Sequence, residues 1–216
     1  MSPNKRAAHG LEARKEAILM AAGQVFIEHG FERATTLEIA TRAKTSKREL
    51  YELFGTKQDL LAVLIRTVSR RMQTPLDLPI AKTRTAFFEV LEAFGSKFLE
   101  ELLHPSRLGL YRLAIAEAQK SNAMARELDA NGRTPVIAAV TKLFQQGAER
   151  GYIEPTDIPL MIRVFFGVLV GDLQTQLLLG IGTPPTAKTI RERAAVAVSV
   201  MRRLTGNSRK MPSPDG

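Results

Sequence analysis

Apolar residues recur at three- and four-residue intervals along almost the whole chain, and no stretch of six or more residues alternates with period two, so the pattern predicts an all-α protein. The first helix is expected from about residue 11 to His29, with Ile18, Ala22, Val25 and Phe26 on one stripe. Gly30 supplies its stop, and Phe31 turns back toward the core. Three Ser/Thr-x-x-Asp/Glu capping boxes then follow: Thr35 with Glu38, Ser46 with Glu49, and Thr56 with Asp59. Spaced eleven and ten residues apart, they mark three consecutive helix starts. Leu37, Ile39, Ala40 and Ala43 are the expected core contacts of the first helix, Leu50, Leu53 and Phe54 of the second, and Leu60, Leu61, Leu64 and Val68 of the third. Two short helices joined by a tight turn and braced by longer neighbours make a helix-turn-helix unit.

Pro75 and Pro79 end the fourth helix, and a second, larger helical domain begins there. Its helices are expected at about 81–103, 106–120 with a continuation to about 130, 134–150, 156–179 and 187–204. His104-Pro105, Asn131-Gly132, Gly151, Gly180-Ile181-Gly182 and Gly206 act as stops. The boundaries read as a disordered basic arm (1–10), a helix-turn-helix domain (11–72), a helical effector-binding and dimerisation domain (73–205) and a disordered tail (206–216).

The helix KRELYELF, residues 47–54, is too short to be stable alone, because nucleation is costly and few hydrogen bonds follow. Its neighbours therefore hold it so that its N-terminus can be presented to something. The chain carries a formal charge of +9, which suits a polyanionic partner. Clustering matters more than the total. Residues 1–60 hold ten Lys and Arg against eight Asp and Glu, yet RAKTSKR, 42–48, has four cations and no acid just ahead of that helix.

Cysteine is absent, which removes disulfides and thiolate chemistry and points to a reducing, cytoplasmic compartment. No signal peptide is read at the N-terminus, and the longest uninterrupted apolar run, Val164 to Gly171, falls far short of the roughly 20 residues a bilayer requires. No cofactor and no membrane partner are expected. Glu101-x-x-His104 has the helical spacing of a di-iron carboxylate ligand pair, but such a site needs a second copy, which His9 and His29 do not supply, so no metal site is expected. His104 is read as a helix C-terminal residue favoured by the local dipole.

From Arg14 to Leu61 the sequence closely resembles the DNA-binding domain of the TetR/AcrR family of bacterial transcriptional regulators. The resemblance lies in ILMAAGQVFIEHGFERATTLEIATRAKTSKRELYELFGTKQDLL: an alanine pair, Phe before Gly-aromatic, Thr-Thr, Ile-Ala, Ser-Lys, Leu-Tyr-x-x-Phe and Thr-Lys. The remainder is more loosely similar to the AefR-like ligand-binding domains, through RLAIAEAQ and the helix beginning near Ile158. The resemblance implies that residues 47–54 are a recognition helix entering the major groove, that Thr35 and Thr36 fix the preceding helix against phosphates, and that Lys57 matches a phosphate-contacting lysine. It implies no enzymatic activity. Two departures bear on base preference: Leu53 stands where many relatives have His, and Glu52 where an aromatic or basic residue is frequent.

The expected DNA-binding residues are Thr35, Thr36, Thr45, Ser46, Lys47, Arg48, Tyr51 and Lys57. Hydroxyls at helix N-termini can cap and also donate to phosphate. Arg48 suits a bidentate guanine contact, with Glu52 one turn on to hold the guanidinium, while Glu49 is expected to fold back to the Ser46 N–H. Phe166, Gly167, Val170, Gly171 and Gln174, around a G-x-x-x-G spacing, are the expected homodimer face. Among the middle helices, Phe88, Tyr111, Arg112, Glu117 and Phe144 are candidate effector contacts, with Asn122 and Gln145 as further polar groups. The reading is a regulator, in the repressing sense usual for the family, that binds a palindromic duplex operator as a homodimer and is released by a small hydrophobic or amphipathic molecule. A helical carrier without DNA binding is the alternative.

Overall fold

The computed structural model describes residues 3–73, 78–119, 122–154 and 157–205, with side chains from residue 9 to Val68 in the first stretch. The described residues are helical, without strands, as the periodicity predicts. They form two compact units, one from 3–71 with 104–133 and the other from 72–103 with 134–205.

The first unit holds α1 (Pro3–Arg33), α2 (Thr36–Arg42), α3 (Lys47–Phe54), α4 (Lys57–Gln73), α6 (Pro105–Glu117), α7 (Ala123–Leu128) and a single π-turn over Asp129–Arg133. Helix α1 already runs at Pro3, through the residues expected as a disordered arm; Lys, Arg and Ala there all favour helix. Gly30 breaks it as expected, at φ 74°, a value glycine adopts without steric cost. The core joins Ile18, Ala22, Val25 and Phe26 of α1 to Ile39, Ala40, Leu50, Leu60 and Ile65. Leu37 does not belong to it, being 64% exposed. With Thr35 at the cap, α2 turns Thr36 inward instead.

Leu110, Leu113 and Ala114 of α6 and Met124 and Leu128 of α7 complete this core. Residues 104–133 therefore pack with the N-terminal helices, whereas the domain boundary expected at residue 73 grouped them with the rest. Arg107, 2% exposed, donates from Nη2 to the Val68 carbonyl at 2.8 Å and ties α6 to α4. On α1, a Cβ built at Gly23 would lie 3.7 Å from both δ carbons of Leu64, ordinary contact. Gly23→Ala is therefore expected to stabilise the protein by about 1 kcal/mol through helix propensity. A lower midpoint in urea would show that α1 needs the glycine.

The second unit holds α5 (Arg84–Leu102), α8 (Thr134–Glu149), α9 (Ile158–Val170), α10 (Leu173–Leu179) and α11 (Ala187–Leu204). Helices α5, α9 and α11 pack around Phe94, Phe165, Leu169 and Ala194. The single helix expected over 156–179 is two. Gly171, at φ 54°, ends α9, and α10 departs at 50°. Arg193 of α11 holds that end, donating to the carbonyls of Leu169 (3.0 Å) and Val170 (3.1 Å). No single described helix is long and apolar enough to cross a membrane; α9 and α10 pass together by length and composition only. The expected helix at 106–130 likewise divides, into α6 and α7. His104 is not a C-terminal residue but the N-cap of α6, with Nδ1 accepting from Ser106 N at 3.4 Å and Pro105 in the first turn. The expected tail, 206–216, lies outside the described residues.

Candidate nucleic-acid interface

Helix α3 is short because chemistry closes both ends. Ser46 Oγ accepts from Glu49 N at 3.0 Å, and Gly55 takes the chain out at φ 76°. Leu50 and Phe54 anchor its inner face, leaving Lys47, Arg48, Tyr51 and Glu52 outside. Helix α2 is capped in the same way, by Thr35 Oγ1 accepting from Glu38 N at 3.2 Å. Both expected caps are made, and each hydroxyl keeps its own proton to offer outward.

Arg48 is 88% exposed and pairs with Glu52 at 2.8 Å, the expected i,i+4 brace. Lys47 lies 5.8 Å from the centre of the Tyr51 ring. Tyr51 and Thr36 share a hydrogen bond at 3.3 Å, so buried Thr36 fixes the phenol of an exposed tyrosine. Thr36 thereby acts through Tyr51 and has little surface of its own for a phosphate.

Glu49 is held away from the front of α3, but mainly by other groups than expected. Its carboxylate accepts from the Thr45 hydroxyl at 2.5 Å and from Arg14 of α1 at 2.7 Å, with the Ser46 N–H a lesser contributor. These donors, Thr45 first, hold its pKa below the usual carboxylate value. The stabilisation is present above the ordinary carboxylate pKa and is lost as pH falls through the lowered one. The arrangement also commits the Thr45 hydroxyl proton to Glu49.

Lys57 departs furthest from expectation. Its Nζ donates to the carbonyls of Phe31 (2.8 Å), Ala34 (3.1 Å) and Glu32 (3.3 Å) and lies 4.5 Å from the centre of the Phe31 ring. An ammonium has three protons, and here the chain end of α1 takes them.

Behind this face Arg42 donates to both oxygens of Glu28 (2.9 and 2.6 Å) and to Glu38 (2.7 Å), while His29 Nε2 lies 3.1 Å from Glu38. Glu28, His29 and Glu38 are close enough to share a cation, but Arg42 already occupies both carboxylates, so the group is an ion-pair network bracing α1 against α2.

The residues expected to line an effector pocket are not gathered in one. Phe88 and Phe144 are fully buried with rings 5.0 and 5.8 Å from Phe87, which makes them core. Tyr111, Arg112 and Glu117 belong to α6 in the first unit, where burial raises the Tyr111 pKa. Asn122 and Gln145 are exposed. The second unit instead has an open groove of about 620 Å³ between Leu78–Lys82 and the α5 face carrying Ala86, Val90, Ala93 and Phe94. Its signal in the sequence is the apolar stripe on α5, Ala86, Val90, Ala93 and Phe94.

At the expected dimer face Gly167 is exposed, and a Cβ built on it meets nothing within 4 Å. Gly171 has left the helix, so the two glycines do not make one helical face. Phe166 is half-buried, 5.0 Å from Phe98 and 5.4 Å from Phe165, while Val170 and Gln174 are half-buried on either side of the break.

Comparison with known proteins places this geometry. Residues 18–64 match the bacterial regulatory proteins of the tetR family, and residues 89–204 match the C-terminal domain of AefR-like transcriptional repressors. The crystal structure of a TetR transcriptional regulator from Agrobacterium tumefaciens is 30% identical, with 91% of this chain and 96% of that one covered at a TM-score of 0.76. The transcriptional regulator HbdR of Aromatoleum sp. (strain CIB) is 38% identical over 58 residues, covering 27% of this chain and 25% of its own. The transcriptional activator FasR of Mycolicibacterium smegmatis is 45% identical over 58 residues, 26% of each chain, so this chain spans only about a quarter of the length of either curated relative. With a capped recognition-type helix at the front and both halves matched, the chain belongs to the TetR family: it is a DNA-binding transcriptional regulator, not an enzyme.

Proposed function

We propose that the protein is a ligand-responsive repressor that binds a palindromic operator as a homodimer and leaves it when an amphipathic molecule occupies the second unit. The observation that carries the DNA half is the front of α3, where Lys47, Arg48 and Tyr51 stand exposed around a capped N-terminus. A helix of this width fits the major groove, where Arg48 can read guanine O6 and N7 and the Thr35, Ser46 and Tyr51 hydroxyls can donate to phosphates. The match to AefR-like repressors supports repression over activation.

One eight-residue helix reads few bases, and a two-fold copy doubles them. Leu160 and Gly167 of α9 and Val196 of α11 are the exposed apolar surface for that copy, with Gly167 allowing close backbone approach. The groove on α5 is the effector site in this reading: its apolar wall takes a hydrocarbon, while Lys82 and Lys97 at its margins keep a polar end in water.

Selection of bound sequences from random duplex DNA tests the proposal. Inverted half-sites spaced near a helical turn, roughly 34–36 Å, or a multiple of it are the expected outcome. Lys47→Ala with Arg48→Ala should weaken binding to the selected site by at least tenfold, since one bidentate guanine contact alone contributes about 1–3 kcal/mol of discrimination. Unchanged affinity would refute α3 as the reading helix, and asymmetric selected sites would refute the dimer.

A further inference from the structure

Among the described residues one non-glycine has positive φ: Lys44, at 53°, in the turn between α2 and α3. The turn is a Schellman motif. Lys44 N donates to the Thr41 carbonyl at 3.1 Å, and Thr45 N donates to the Ala40 carbonyl at 3.0 Å. Its left-handed position is normally glycine, because a Cβ there crowds the following carbonyl. A lysine in this place strains the domain and gives the fold nothing back: its side chain is exposed and, among the described residues, has no hydrogen-bond or ion-pair partner.

The neighbouring cations differ. Arg42 is engaged by Glu28 and Glu38, Arg48 by Glu52, Lys57 by three carbonyls and Arg14 by Glu49. Lys47 rests against the Tyr51 ring. Among the described residues Lys44 is thus the cation of this face with neither an acidic nor an aromatic partner, two residues ahead of the α3 cap, on a backbone held by the turn's own hydrogen bonds.

From this we infer that Lys44 is a DNA-backbone anchor, its ammonium neutralising a phosphate on the rim of the groove that α3 enters. The inference rests on the docking of α3 proposed above. A phosphate contact is independent of sequence, so a fluorescein-labelled duplex of mixed sequence serves as the probe. With the full-length protein, Lys44→Gly should raise the melting temperature by about 2–4 °C as the strain is released. The same change should weaken DNA binding about fivefold per protomer near 0.15 M salt and lower the salt slope by about one. Lys44→Arg keeps the charge and the strain, and should keep wild-type affinity and slope.

Wild-type affinity and slope in Lys44→Gly would overturn the inference. So would Lys44→Arg losing as much as Lys44→Gly, since the contact would then not be one of charge. The Lys47→Ala, Arg48→Ala protein separates the two failures. If it too binds as wild type, the docking of α3 falls along with Lys44; if it alone binds weakly, only Lys44 falls.

Discussion

Replacing Lys57 with methionine is expected to destabilise the first unit by roughly 2 kcal/mol and to leave the salt slope of DNA binding unchanged. Position alone suggests the opposite, because Lys57 opens α4 and an anion is favoured at a helix N-terminus. The geometry decides. Beyond the break at Gly30 the chain turns out of α1, and Lys57 Nζ reaches the carbonyls of Phe31, Glu32 and Ala34 there. Hydrogen bonds to a charged group contribute about 1.5–3 kcal/mol each when well sheltered, and partial exposure here reduces the sum. Methionine fills the space of the lysine stem beside the Phe31 ring but donates nothing. Urea unfolding together with salt-dependent binding checks both halves. Unaltered stability with a slope lower by about one would show that the ammonium releases the carbonyls for a phosphate.

Lys57 also marks how far a sequence can be read. Thr35, Ser46 and Thr56 were legible as helix starts because a cap is a local event, complete within four residues. The Thr56 box even closes in both directions, with Thr56 N and Oγ1 donating to Asp59 and Asp59 N donating to Thr56 Oγ1. The partners of Lys57 lie more than twenty residues away, and nothing local announces them. The same distance hid the Arg14–Glu49 pair and the packing of α6 against α1, which moved Tyr111, Arg112 and Glu117 into the first unit. Gly171 misled for a different reason. A glycine four residues after another reads equally well as a close-packing helix face or as a left-handed stop, and only the approach of Arg193 to the freed carbonyls settles which. Hydrophobicity alone points Leu37 inward, but the buried side of so short a helix is set by where its cap places the first turn.

Phe165→Ala is expected to cost about 3–5 kcal/mol, the largest loss from any single truncation considered. The ring is fully buried where α5, α9 and α11 meet, with its centre 6.4 Å from that of Phe94 and 5.4 Å from that of Phe166. Gly95 on α5 provides an internal check on the cause. A Cβ built there would stand 3.3 Å from Phe165 Cζ, 3.4 Å from Leu169 Cδ1 and 3.5 Å from Ala194 Cβ, tight enough to offset the roughly 1 kcal/mol of helix propensity that alanine brings. Gly95→Ala alone should therefore be close to neutral. In the Phe165→Ala background the nearest obstacle is gone and the methyl group enters the vacated space, so the same substitution should recover about 1 kcal/mol. A coupling of that size, measured by denaturant unfolding of all four proteins, identifies the loss as an unfilled cavity beside Gly95. Strict additivity would mean that the three helices close over the missing ring, and the cost of Phe165→Ala should then fall toward the lower end of its range, since a collapsed site leaves little cavity.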